Sequence, residues 1–213
     1  NSEIYFKNFN YCKNKIKNID LKLIHNSRIA VKKDMKLSTI FNPINFFVLS
    51  EFSKKFKKNK IMMTIMASIL HLCRLTDSKS QSQFPYWVPK KNIVERNILN
   101  LIYKKINELI KNKDKNSLNL VKTKNFSELS KAGKNIYIIN KPVQKITDKD
   151  IPDQSIDILI TDPPYYDQVA YSEYLKIWEY FCNFKTNFKD EIVVSNRLVN
   201  KKNLKDYLDS LTD

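Results

Sequence analysis

A single glycine, Gly133, occurs in 213 residues, and no other feature constrains this chain as tightly. Glycine is the residue that lets a backbone take positive φ and come close to a ligand, so any architecture that needs several glycines in one loop is closed to the chain. A glycine-rich cradle for a phosphate or a dinucleotide is therefore excluded. Gly133 itself follows residues 127–131, which read as a short helix, and it suits a left-handed C-cap there.

Length and composition set the class. With 213 residues and 42% hydrophobic content the chain can bury a core, and it is neither disordered nor built to span a membrane. Its longest apolar run, residues 61–70, is too short to cross a bilayer and is followed by His71 and Arg74. Residues 1–18 are lysine-rich and lack the apolar stretch of a secretory signal. Three scattered cysteines, Cys12, Cys73 and Cys182, read as reduced thiols of a cytoplasmic protein, and no metal-ligand spacing is present. The 38 Lys and Arg against 22 Asp and Glu give a formal charge of +16, which favours a polyanion such as nucleic acid. Codon usage in an AT-rich genome accounts equally well for much of the lysine excess. Clusters such as residues 54–58 are therefore ordinary solvated faces as readily as phosphate contacts.

The chain divides into an N-terminal segment (1–40), a helical region (41–124) and an α/β region (125–213). Asn42 caps and Pro43 opens a helix to about Lys58, with Phe46, Phe47, Leu49, Phe52 and Phe56 on its apolar face. A second helix spans 60–75, and 77–89 is a proline-bounded polar loop containing Tyr86 and Trp87. A long amphipathic helix follows over 89–113, burying Ile93, Ile98, Leu101, Ile102, Ile106, Leu109 and Ile110. Residues 112–123 read as a linker. Beyond Phe126, residues 135–140 and 156–161 are nearly continuous apolar runs, the pattern of parallel strands covered on both faces. Residues 171–184 and 202–211 read as helices.

Directly after the second apolar run stand Asp162, Pro163, Pro164 and Tyr165. Two prolines fix φ and donate no N–H, so the turn is stiff and its carbonyl oxygens are free to accept. The carboxylate before them only accepts hydrogen bonds. The aromatic ring after them offers a stacking face worth about 1–3 kcal/mol per base. Acceptors for an NH₂ group beside a stacking plate describe a site for the exocyclic amine of adenine or cytosine. In open α/β sheets such sites lie at the carboxyl ends of strands, where Asp162 falls.

Residues 156–174, followed by Trp178 and Glu179, resemble the motif IV region of the DNA amino-methyltransferases that act on adenine or cytosine. The branch it is most similar to is prokaryotic, with Asp-Pro-Pro-Tyr followed by a Tyr-Ser pair, here Tyr171 and Ser172, and a Trp-bearing helix. Residues 41–43, 86–89, 95–97 and 191–197 are also similar to segments flanking motif IV there. The resemblance covers roughly residues 40–211 and is specific at motif IV. It implies a partial Rossmann-like class I methyltransferase sheet with a helical N-terminal region, and methyl transfer from S-adenosyl-L-methionine to a base flipped out of DNA in a restriction-modification or related system. By the same resemblance Asp162 and the carbonyl of Pro163 accept from the target amine, Pro164 holds the turn and Tyr165 stacks on the base. Tyr166, Tyr171 and Ser172 stand on the substrate side. Tyr171 and Tyr174, three apart on a helix, are as suited to packing, and Trp178 reads as core.

One departure is large. Enzymes of this family carry a glycine-bearing loop, Asp-Pro-Phe-x-Gly-x-Gly, after a strand, and a chain with one glycine lacks it. Residues 140–143 stand at the strand end that often carries an acidic residue near the cofactor, and offer only Asn and Lys as polar groups. The cofactor-binding residues are thus unassigned. With Asn1 in place of a methionine, the simplest expectation is a fragment whose cofactor loop lies on missing sequence or on a second chain. The other classes are a degenerate, non-catalytic nucleic-acid-binding subunit and an RNA amine methyltransferase.

Overall fold

The computed structural model describes residues 2–17, 19, 21–23, 32–76, 95–115, 120–129, 131–166, 171–196 and 201–212. The chain forms two compact units, residues 1–111 with 170–187 and residues 112–169 with 188–213. The loop expected over 77–89, with Tyr86 and Trp87, lies outside the described residues, as do Asp167 and Ile93.

The first unit is helical: α1 (Ser2–Ile16), α2 (Pro43–Phe56), α3 (Lys60–Cys73), α4 (Ile98–Lys115) up to Lys111, and α5 (Tyr171–Cys182). Local chemistry starts α2 and α3. Asn42 accepts from the Ile44 amide at 2.9 Å with Pro43 in the first turn, and Asn59 accepts from the Met62 amide at 3.1 Å. Each satisfies an amide that the helix start would otherwise orphan. Helix α1 was not signalled by its sequence, whose polar composition masks a narrow stripe ending in buried Cys12 and Ile16.

Helical spacing places Phe46 and Leu49 of α2, Ile65, Met66, Ile69 and Leu70 of α3, and Ile177 and Phe181 of α5 in one fully buried cluster. Its centre is aromatic. Phe46 stacks on Tyr180 at 5.6 Å and meets Phe181 edge-on at 5.3 Å, while Phe41 meets Phe181 at 5.5 Å. Such pairs add about 0.5–1.5 kcal/mol each beyond area burial. Two polar ties fix α5 on its neighbours: the Trp178 indole donates to the Ala67 carbonyl at 2.9 Å, and the Ser53 hydroxyl to the Phe181 carbonyl at 2.6 Å. Trp178 is thus a packing residue, as its helical position suggested. Helix α4 starts at Ile98, where Asn97 caps it by accepting from the Asn100 amide at 3.1 Å; residues 95–97 of the expected helix are not helical, and 89–94 lie outside the described residues. Ile98 and Ile102 are buried, but Leu109 and Ile110 are 47% and 57% exposed, so the stripe outlasts the core it was expected to face.

The second unit contains β1 (Lys122–Thr123) paired in parallel with β2 (Ile136–Tyr137), an antiparallel pair β3 (Ser195–Asn196) and β4 (Lys201–Lys202), and α6 (Leu204–Thr212). Between β1 and β2 the expected helix is instead two 3-10 turns, Phe126–Glu128 and Lys131–Gly133. Asn125 caps the first, and Gly133 takes φ +70°, the left-handed conformation its type permits. Glu128 closes this connection, accepting from Lys134 at 2.7 Å and from the Thr123 hydroxyl at 2.6 Å. Lys134 first, and then Thr123, hold its carboxyl at about 2. Helix α6 begins after Asn203, whose side chain accepts from the Asp206 amide while Asp206 accepts from the Asn203 amide, a reciprocal cap.

The two expected parallel strands are corrected. The first contracts to Ile136–Tyr137, and residues 156–161 enter no ladder among the described residues. Ile158, Leu159 and Ile160 are 78%, 81% and 91% exposed. A strand is a pairing rather than a local conformation, and the described residues offer this run neither an adjacent strand nor a covering helix. No helix among the described residues is long and apolar enough to cross a membrane.

Candidate functional site

The candidate segment, Asp162 to Tyr166, lies in the second unit and is exposed except at the half-buried Pro164. Rigid prolines alone do not aim it. Tyr166 adopts φ +48°, a conformation that costs a bulky side chain about 1–3 kcal/mol and persists only where surrounding contacts impose it.

Those contacts converge on Tyr207 of α6. Its hydroxyl donates to the Pro164 carbonyl at 2.8 Å and accepts from the Tyr166 amide at 3.2 Å. The two tyrosine rings meet edge-on at 5.6 Å, and the Tyr166 carbonyl accepts from the Val194 amide at 3.2 Å. The turn is therefore clamped from α6 and from the segment before β3. Nothing local in the sequence points to Tyr207, which stands 43 residues after Pro164.

The clamp sorts the acceptors. The Pro164 carbonyl is taken by Tyr207 and by the Tyr166 amide, whereas the Pro163 carbonyl accepts from no described residue. Asp162 receives the Tyr165 hydroxyl on Oδ1, leaving Oδ2 uncommitted among the described residues. Tyr165, half exposed, thus combines an aromatic face with a hydroxyl that orients the carboxylate. An exposed acceptor pair, Asp162 Oδ2 and Pro163 O, stands beside an aromatic ring on a turn fixed from behind.

Tyr171 and Ser172 belong to the first unit, in α5. Tyr171 is 43% exposed, but Ser172 is buried to 1%. The side chains of Glu173 and Tyr174 lie outside the description. At the end of β2, the residues compared with a cofactor-facing acidic position show Lys141 ion-paired with Asp150. Lys141 first, and the Thr147 amide next, lower the Asp150 carboxyl below its usual range. The Asp150 carboxylate is thus already paired. Burial raises the Cys12 thiol and pushes Cys182 up to about 11, so neither is an activated nucleophile. Among the described residues no group of three metal-ligating side chains comes together.

No family model, curated protein or solved structure matches the chain.

Replacing Tyr207 with Phe tests the clamp. The ring contact survives, but both hydrogen bonds are lost, at a cost of about 0.5–1.5 kcal/mol each. Amide hydrogen exchange is expected to quicken at Tyr166 while α2 and α3 keep their protection. Unchanged protection at Tyr166 excludes the clamp.

Proposed function

We propose that the complete protein transfers a methyl group from S-adenosyl-L-methionine to the exocyclic amine of adenine or cytosine in DNA, as a cytoplasmic enzyme of a prokaryotic restriction-modification or related system. The observation that carries this is the clamped turn, where Asp162 Oδ2 and the Pro163 carbonyl stand open beside the Tyr165 ring. The second unit, which holds the parallel pair β1 and β2, is then part of a Rossmann-like sheet, and residues 156–161 are the segment that leads into the site.

The chemistry asked of these residues is limited and specific. Two acceptors take the hydrogens of a flipped-out NH₂ group, draw its lone pair out of conjugation with the ring and leave nitrogen density directed away from the protein. Acceptors fixed in advance favour the state in which positive charge develops on that nitrogen, so they act mainly in the transition state. Tyr165 holds the base plane, and positioning supplies much of the rest. Tyr207 is a positioning residue, acting through Pro164 and Tyr166.

The residues present do not fit the methyl donor. Gly133 is a lone glycine in the 3-10 turn that leads into β2 and not in a turn directly after β1, and Asp150, near the end of β2, is paired with Lys141. We therefore assign the donor's cradle to a second chain or to a segment beyond these residues. The single glycine also favours a second reading, a non-catalytic nucleic-acid-binding subunit.

Incubating the complete protein with isotope-labelled S-adenosyl-L-methionine and either duplex DNA or structured RNA decides among them. Label recovered as N6-methyladenine or N4-methylcytosine in DNA is the expected result and names the base. Label in RNA alone transfers the activity to RNA. No label in either, with DNA still bound, establishes the non-catalytic subunit.

A further inference from the structure

The two units differ far more in acids than in lysines. The helical unit, residues 1–111 with 170–187, has 24 Lys and Arg against 9 Asp and Glu, while the second unit has 14 against 13. Cations therefore make up about one residue in five or six of either unit, but acids fall to about one in fourteen of the helical unit against about one in six of the second. A codon bias acts on the whole chain. It accounts for the evenly spread lysines and leaves the missing acids of one unit unexplained, whereas a surface that meets a polyanion requires that depletion.

The acids that remain in the helical unit are largely engaged. Asp34, Glu51, Glu108 and Glu179 are each paired with one lysine, and Glu95 accepts from Tyr5 and Asn42. The excess charge gathers at the corner between α2 and α3, where Lys54, Lys55, Lys57, Lys58 and Lys60 are all exposed. Glu51 pairs with Lys54 at 2.7 Å and Lys55 lies over the Phe56 ring at 5.7 Å, but no described carboxylate pairs with Lys57, Lys58 or Lys60. Helix electrostatics explains only part of the cluster. Lys54 and Lys55 stand in the last turn of α2, where the helix dipole favours a cation, yet Lys60 opens α3, where the dipole disfavours one. Five like charges this close also repel one another, and a row of phosphates relieves both costs.

We infer that the α2–α3 corner of the helical unit binds the phosphodiester backbone of a nucleic acid. This goes beyond the methyl-transfer proposal, because the contacts lie outside the Asp162 turn and serve a non-catalytic subunit equally well. Lysine ammoniums are point charges on flexible stems, so the corner holds a backbone without reading its sequence. A membrane surface is the competing polyanion, but it calls for exposed apolar side chains among the cations, and residues 54–61 offer Ile61 alone.

The test is fluorescence anisotropy of the intact chain with labelled DNA and RNA duplexes of about 20 base pairs, without a methyl donor, over a series of salt concentrations. Saturable, salt-sensitive binding is expected, and the tighter duplex names the nucleic acid. The combined Lys55→Gln, Lys57→Gln, Lys58→Gln and Lys60→Gln variant is expected to bind about tenfold or more weakly, with the salt slope reduced by about 2–4 and no fall in melting temperature. The matching four arginine substitutions should keep the affinity. As a control of equal charge, Lys124→Gln, Lys131→Gln, Lys149→Gln and Lys205→Gln, all at exposed positions of the second unit, should change it by no more than about twofold. If the four-site corner variant melts early, Lys57→Gln with Lys58→Gln, which lie outside both helices, carries the test with an expected slope reduction of about 1–2. No saturable binding of either duplex, an unchanged salt slope in the corner variants, an equal loss in the control, or tighter binding to phosphatidylserine-containing vesicles than to either duplex overturns the assignment. With no methyl donor present, none of these outcomes depends on whether the protein methylates.

Discussion

Replacing Asp162 with alanine in the complete protein is expected to lower kcat for methyl transfer by about 10²–10³-fold, the usual effect of losing one preorganised group that stabilises transition-state charge. DNA affinity and KM are expected to stay nearly constant. The reasoning separates ground state from transition state. An amine conjugated with its ring gains little from an acceptor on its N–H, whereas the same amine carrying developing positive charge gains much. The loss should therefore fall on kcat, and a rise in KM at constant kcat would reassign Asp162 to substrate binding. Asp162 also receives the Tyr165 hydroxyl, so the two effects need separation. Tyr165→Phe removes that bond and keeps the ring. A smaller loss than in Asp162→Ala is expected, and an equal one would place the role in the Tyr165–Asp162 pair. Tyr165→Ala removes the stacking face as well and should cost more than Tyr165→Phe.

Phe46→Ala is expected to be the most damaging single substitution for stability, at about 3–5 kcal/mol. Phe46 is fully buried and touches Phe41, Tyr180 and Phe181, so one deletion removes the contacts that join α2 to α5 and to the chain entering α2. Neighbouring rings relax poorly into the space of a phenyl group, and the cavity adds to the lost transfer energy. Urea unfolding followed by circular dichroism measures it. Ile61→Ala, at a position 67% exposed, is the control, with an expected change within about 0.5 kcal/mol. A loss under about 1 kcal/mol for Phe46→Ala would show that the aromatic cluster does not hold the helical unit together.

The part of the fold legible in the sequence is the part governed by neighbours along the chain. Asn42 with Pro43, and Asn59, mark helix starts by their own side-chain geometry, and helical spacing through Phe46, Leu49, Ile65 and Ile69 marks the faces that pack. Helix α4 shows the limit of periodicity. Its apolar stripe runs on through Leu109 and Ile110, but only a facing element can turn a stripe into a buried face. Residues 156–161 show the same limit more sharply, since apolar content foretold a strand and no described segment pairs with it.

The candidate site divides in the same way. By itself the sequence determined that Asp162, Pro163, Pro164 and Tyr165 form a stiff turn with a carboxylate and an aromatic ring, and that one glycine leaves no close-approach loop. Both follow from residue chemistry, which needs no partner. Only the tertiary structure decided which carbonyl remains open, that Tyr166 is held at positive φ, and that Tyr207 does the holding. Hydrogen bonds across 43 residues depend on where α6 packs, and nothing in the short-range pattern carries that information.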